Sequence, residues 1–291
     1  MKILVTGATG YIGTAVTEAL IRAGHQVQGL ARSDAARGKL EARGIQPVRG
    51  ELSDTAGLAA LVPGVDAVIW AATSNTEALD APAVTAMLER MAGTGKAFLY
   101  TSGVWVHGDT RGAVVDEDSP LRSAELVAWR PAVERRVLAT PGIRGIILRP
   151  GIVYGRAGGI PGMLTSSARE AGAARFVGAG ENHWPVVFLE DLADLYLRAV
   201  ERAPAGTVLL ASQGPGVKLK ALATAASEGA GAGGRTTSWN LEEARKQLGA
   251  FADALALDQQ VSARRAEQLL GWAPHGPSIL EELRSGSYAG R

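Results

Sequence analysis

The sequence predicts an α/β fold in which a doubly wound parallel sheet carries helices on both faces. Two observations predict it. Three glycines, in Thr6-Gly7-Ala8-Thr9-Gly10-Tyr11-Ile12-Gly13, lie between the apolar run Lys2-Ile3-Leu4-Val5 and a stretch with Ala15, Ala19, Leu20 and Ala23 at helical spacing. Beyond them, short apolar runs alternate with helical patterns. Glycines on a strand-to-helix turn let the backbone fold tightly and approach a ligand. The helix start then presents unpaired N–H groups and a positive dipole end to an anion. Gly7, Thr9, Gly10, Tyr11 and Ile12 are therefore expected to hold a pyrophosphate. The spacing is Gly-x-x-Gly-x-x-Gly, not the commoner Gly-x-Gly-x-x-Gly.

The remaining elements follow in order. Gly24-His25 closes the first helix, and Gln26-Val27-Gln28-Gly29-Leu30-Ala31 alternates as a second strand. Ile45 to Gly50 reads as the third strand, and Leu58, Leu61 and Val62 suit a helix under the sheet. Val65 to Ala72 reads as the fourth strand, with small residues at its carboxyl end, where ligands of open parallel sheets lie. Asp80 to Ala92 reads as a helix with Pro82 in its first turn, where proline is tolerated, and Asp80 as its N-cap. Lys96 to Ser102 is the fifth strand, Ile143 to Pro150 the sixth, and the Gly/Ala-rich piece Glu228 to Arg235 a mobile loop.

Composition narrows the function. With 291 residues, 46% hydrophobic and 20% charged, the chain can bury a sizeable core, so disorder is not expected. A net charge of +1 without a basic block argues against nucleic acid and against a polybasic membrane surface. Having no cysteine, the chain forms no disulfide and offers no thiolate nucleophile; no metal site is expected. No signal peptide and no run long enough to span a bilayer is visible, so a cytoplasmic location is expected.

Val5 to Gly13 resembles the opening of the extended and atypical short-chain dehydrogenases/reductases, the NAD-dependent epimerase/dehydratase group. Arg149-Pro150-Gly151-Ile152-Val153-Tyr154-Gly155 resembles that family's crossing from nucleotide half to substrate half. Asn182 to Ala193 resembles its return, and Leu269-Leu270-Gly271-Trp272-Ala273-Pro274 its Leu-Gly-Trp-x-Pro ending. The resemblance implies a Rossmann-type sheet with a smaller, interleaved C-terminal substrate domain. Residues 1–155 plus 185–212 would bind the dinucleotide, and 156–184 plus 213–291 the substrate. It also implies that Glu51 and Leu52 lie beside the adenine, that Ala71, Ala72 and Thr73 border the dinucleotide, and that Pro150 and Val153 belong to the cofactor wall.

In this fold a carboxylate ending the second strand grips the adenosine ribose; here Ala31 stands there and Arg32 follows. A guanidinium suits a 2′-phosphate. Ala-Arg-Ser also resembles the NADP-preferring members, so NADP is expected over NAD. Asp34, brought to the ribose by a shifted loop, is the alternative.

The catalytic pattern departs from the family. A Tyr-x-x-x-Lys pair and an upstream hydroxyl ordinarily perform the proton chemistry. Counting from Val106-His107-Gly108 puts Gly103 at the hydroxyl position and Ser102 one place before it. Counting back from Glu134 puts Arg130 at the lysine and Leu126 at the tyrosine. Ser102, His107 and Arg130 are the candidate catalytic residues, with Arg130 also placed to bond the cofactor ribose. A guanidinium is a poor proton donor, whereas an imidazole of ordinary pKa is a good one. A lone histidine after a strand is more often a hydrogen-bonded structural residue than a catalytic one, and Ser102 reads equally as a structural serine at a strand end. His183, Tyr154 and the tryptophans 105, 129 and 184 are further residues with a site reading and a core reading. The expected function is NADP(H)-dependent reduction of a small carbonyl, imine or conjugated C=C compound. The alternatives are an NADP(H)-sensing protein similar to the NmrA-like regulators, which lose the catalytic residues, and a sugar-nucleotide epimerase or dehydratase. The resemblance also allows a homodimer formed through helices on the sheet faces.

Overall fold

The computed structural model describes residues 1–72 and 76–290. Seven parallel strands form the central sheet: β1 (Lys2–Thr6), β2 (Gln26–Ala31), β3 (Gln46–Arg49), β4 (Ala67–Trp70), β5 (Ala97–Thr101), β6 (Arg144–Pro150) and β7 (Thr207–Ala211). Their order across the sheet is β7-β6-β5-β4-β1-β2-β3. The chain reverses direction of travel between β1 and β4, so the strand ends open a crevice there.

Side chains of a strand alternate between faces. Ile3, Val5, Ile69, Leu99 and Leu148 face one layer, formed by α1 (Tyr11–Arg22), α2 (Asp34–Glu41) and a later helix over Leu189–Arg202. Leu4, Val68, Trp70, Phe98 and Ile147 face the other, formed by α3 (Thr55–Leu61), α4 (Glu77–Met91) and α5 (Arg130–Ala139). Both faces are dry, which is why these strands read as unbroken apolar runs.

A smaller second cluster gathers α6 (Pro161–Ala171) and α8 (Leu219–Gly229), either side of the sheet-covering α7 (Leu189–Arg202). Short pairings tie it in. Ile152–Tyr154 runs parallel to Val186–Phe188, and Ala174–Val177 runs parallel to Thr236–Trp239. Ala263, Ala266, Leu270 and Trp272 do not join this cluster, although they fall within the 213–291 expected to bind substrate. They pack with Ile3 and Val5 in the core beneath α1 and α7. Trp272 Nε1 also donates to the Asp191 carbonyl at 2.8 Å.

Two elements differ from expectation. α4 starts at Glu77, so Pro82 stands inside the helix and Asp80 in its first turn. Asp80 does not cap: its buried carboxylate accepts from Trp70 Nε1 at 2.8 Å and Tyr100 Oη at 2.7 Å. Two tertiary donors outcompete the local backbone for it. The piece expected to be a loop from Glu228 has its first two residues in α8, because the helix end lies against Leu283. A methyl group on Gly229 would fall 2.0 Å from that residue's carbonyl oxygen.

Candidate functional site: a dinucleotide groove and an apolar cleft

The glycine turn joins β1 to α1. Gly7 sits at φ +71°, and a Cβ there would lie 2.6 Å from the Ala71 carbonyl oxygen. A Cβ on Gly13 would lie 2.0 Å from the Gly7 carbonyl oxygen, so only hydrogen lets α1 close on the turn. Gly10 differs: its one near neighbour would be that same oxygen at 3.1 Å. The space beside it belongs to a groove of about 760 Å³. Gly7, Thr9, Gly10, Tyr11 and Ile12 line this groove together with Arg32, Glu51, Leu52, Ala71 and Ala72. Thr73 lies outside the described residues. The first turn of α1 contains no carboxylate, and its leading amides have no acceptor within the helix. A narrow backbone cradle, a bare helix start and a long groove at the crevice fit a nicotinamide dinucleotide.

At the outer end of the groove, Arg32 is exposed and has no hydrogen-bond partner among the described residues. Ser33 caps α2 by accepting from the Ala36 N–H at 3.2 Å. Asp34 is absent from the groove lining and instead lines a neighbouring pocket with Arg37 and Arg49. Of the two residues left open at the ribose end, Arg32 is the one on the groove wall.

The inner end adjoins a cleft of about 240 Å³, with Tyr11 and Ile12 common to both. Val104, Trp105, Ile152, Val153 and Ile160 make its walls apolar, and Pro150 also lines it. Apart from the Tyr11 hydroxyl, which donates to the Gly155 carbonyl at 2.7 Å, its polar groups come from the end of β5 and the start of α5: Thr101, Ser102, Gly103 and Arg130. Arg130 Nη1 donates to the Ser102 carbonyl at 3.0 Å. Its Nε and the Ser102 Oγ are buried with no partner among the described residues. Gly103 and Arg130 fit one another, since a Cβ at 103 would come within 3.3 Å of the guanidinium. Leu126, at the family's tyrosine position, does not line the cleft.

His107 is placed elsewhere. It is 3% exposed and stands behind the cleft, where Arg149 Nη1 donates to its Nε2 at 3.3 Å. Arg149 in turn forks onto Glu134 at 3.1 and 2.5 Å, both residues buried. Burial, helped by the Arg149 charge, pushes the imidazole down to about 4. A neutral, walled-off histidine does not replace the absent tyrosine at neutral pH. Glu134, used in the sequence only to set a register, holds the buried charge that carries β6 against α5.

The remaining candidates are structural. His183 Nδ1 meets Asp258 Oδ1 at 2.8 Å and is absent from the cleft lining. The Tyr154 hydroxyl donates toward the Pro277 carbonyl at 2.6 Å and abuts Gln213. Trp184 Nε1 donates to the Leu255 carbonyl at 2.9 Å, and Trp129 lies beneath Arg130. Trp105 alone of the three tryptophans lines the cleft, braced edge-on by Phe251 at 5.9 Å. Sequence reasoning missed Thr101. Its Oγ1 lies 2.6 Å from the hydroxyl of Tyr196, a fully buried residue of α7.

Comparison with known proteins agrees with this architecture. An uncharacterized protein of Schizosaccharomyces pombe is 32% identical over 303 residues, covering 99% of this chain and all of that one. A 4-hydroxy-2-methyl-3-oxo-4-farnesyl-3,4-dihydroquinoline-1-oxide ketoreductase of Stigmatella aurantiaca is 28% identical over 248 residues, covering 77% and 72% of the two chains. Among solved structures, Thermus thermophilus UDP-glucose 4-epimerase, in complex with NAD, superposes with a TM-score of 0.81 at 19% identity, covering 99% of each chain. That similarity establishes the fold. The profile of the NAD dependent epimerase/dehydratase family matches residues 3–211, and the chain belongs to that family.

Proposed function

We propose that the protein is an NADP(H)-dependent reductase of small, largely apolar oxo compounds. One observation carries this reading. Thr101, Ser102 and Arg130 gather at one end of a cleft whose walls are otherwise apolar and which shares two residues with the dinucleotide groove. An oxo group seated at the polar end, with its carbon chain along the apolar walls, suits both surfaces. The likeness to a ketoreductase supports the same chemistry.

Gly7, Gly10 and the amides opening α1 would hold the pyrophosphate, and Arg32 the 2′-phosphate. The bound cofactor supplies hydride. Arg130 orients the substrate oxygen by hydrogen bonding, and its charge favours the negative charge that develops there. Because a guanidinium keeps its proton, the proton that completes an alcohol comes from water at the cleft mouth. Tyr11, Trp105 and Ile160 limit that water and exclude large polar substrates.

Loss of NADPH absorbance against a panel of aliphatic ketones, imines and enones tests the reading, with calorimetry for dinucleotide affinity. Turnover of apolar ketones is the expected result. Tight NADP(H) binding with no turnover across the panel would replace it with a dinucleotide-sensing protein, which the leucine at position 126 favours.

A further inference from the structure

We infer that Thr101, aligned by Tyr196 behind it, supplies the hydroxyl that binds the reacting carbonyl oxygen, in place of the side chains missing at Gly103 and Leu126. This rests on the cleft being the reaction site.

The pairing follows from strand geometry. Leu99 faces α7, so Thr101, two residues on, faces it too. Tyr196 meets Thr101 there, oxygen to oxygen at 2.6 Å. Which oxygen donates is decided by burial. The Tyr196 side chain is 0% exposed, and its hydroxyl has no other partner among the described residues. Its single proton has one acceptor in reach, Thr101 Oγ1. Were Thr101 the donor, the phenol proton would be left unpaired in an apolar layer, a full desolvation cost. Burial also holds the phenol above its ordinary pKa, so that proton stays in place.

With Tyr196 donating, the Thr101 proton is not used against α7. No other acceptor takes it among the described residues. Thr101 is half-buried and lines the cleft, where its O–H meets the substrate. Each hydroxyl in such a chain polarises the next, so Thr101 is a stronger donor than an isolated threonine. Arg130 borders the same cleft. The arrangement gives a carbonyl oxygen one neutral and one charged donor, and it requires no tyrosine at position 126. Tyr196 is a positioning residue and Thr101 touches the substrate.

The test uses the full chain with NADP⁺ and hexanamide, whose carbonyl accepts hydrogen bonds without being reduced. Calorimetry gives its affinity, and turnover of a ketone found in the panel gives kcat and KM. Thr101→Val should weaken hexanamide about tenfold and lower kcat by about 100-fold, the loss of one aligned donor. Thr101→Ser should restore both to within about threefold. Tyr196→Phe should weaken hexanamide by about threefold in the parent and not at all in the Thr101→Val background, since it acts through that hydroxyl. The inference is overturned if Thr101→Val leaves both measurements intact, if Tyr196→Phe acts equally in both backgrounds, or if Ser102→Ala alone removes the binding. If the parent itself fails to bind hexanamide and turns over no ketone, the cleft is not the reaction site and the reductase reading falls first.

Discussion

His107 should make the protein acid-sensitive over a defined range. In the folded chain its pKa is about 4, against 6.5 for a free imidazole. Burial is the larger cause and the Arg149 charge the second, while Asp116 pulls weakly the other way. Between those two values the unfolded chain binds a proton that the native chain refuses, so stability falls as pH falls. At about 1.4 kcal/mol per pH unit, the full loss is about 3 kcal/mol. None of it appears above pH 6.5, and below about 4 this residue contributes no further slope. His107→Gln keeps an acceptor for Arg149 and removes the titration. Urea unfolding at neutral pH and at about pH 4.5 should show the variant losing about 2–3 kcal/mol less than the parent over that interval. Any constant effect of the substitution cancels, because the comparison is between slopes. Parallel pH profiles would refute the reasoning and mean that His107 is solvated or moves away from Arg149 as it gains a proton.

Three further outcomes are expected. Arg32→Asp should weaken NADPH by about tenfold or more by calorimetry while NADH holds or improves; equal losses would remove Arg32 from the ribose. Glu134→Ala leaves the Arg149 guanidinium buried and largely uncompensated, a cost of about 3–5 kcal/mol, and the melting temperature should fall by about 10 °C. Gly13→Ala should disrupt the turn itself, whereas Gly10→Ala, with one contact at 3.1 Å, should fold and lose dinucleotide-induced thermal stabilisation.

Much of the sheet was legible because each central strand is buried on both faces. Residues 26–31 read as a strand and form one. The glycine turn was legible because position, strand before and helix after all point the same way. The start of α4 was not. Pro82 looks like a first-turn proline, and what moves the helix start is Asp80, held by partners 10 and 20 residues away. Ser102 and Arg130 were found by counting from a family pattern, and both border the cleft. Thr101 escaped that count because the residue that gives it meaning lies 95 positions further on. His107 looked reactive because its type suits proton transfer, while the Arg149 that bonds it comes from β6, 42 positions further on. Ser33 capping α2 separates Arg32 from Asp34, a choice between neighbours that spacing left open.

The layer beneath α1 and α7 includes Trp272 and the helix before it, so the core that holds residue 3 is completed only by residue 272. During synthesis the sheet therefore emerges long before its lid. A nascent chain that has reached Ala211 holds all seven strands and still lacks the segment that completes this layer. Contacts of such long sequence separation are slow to form. The opposite layer draws its buried residues from positions 4–147, so the two sides of one sheet are finished at different times.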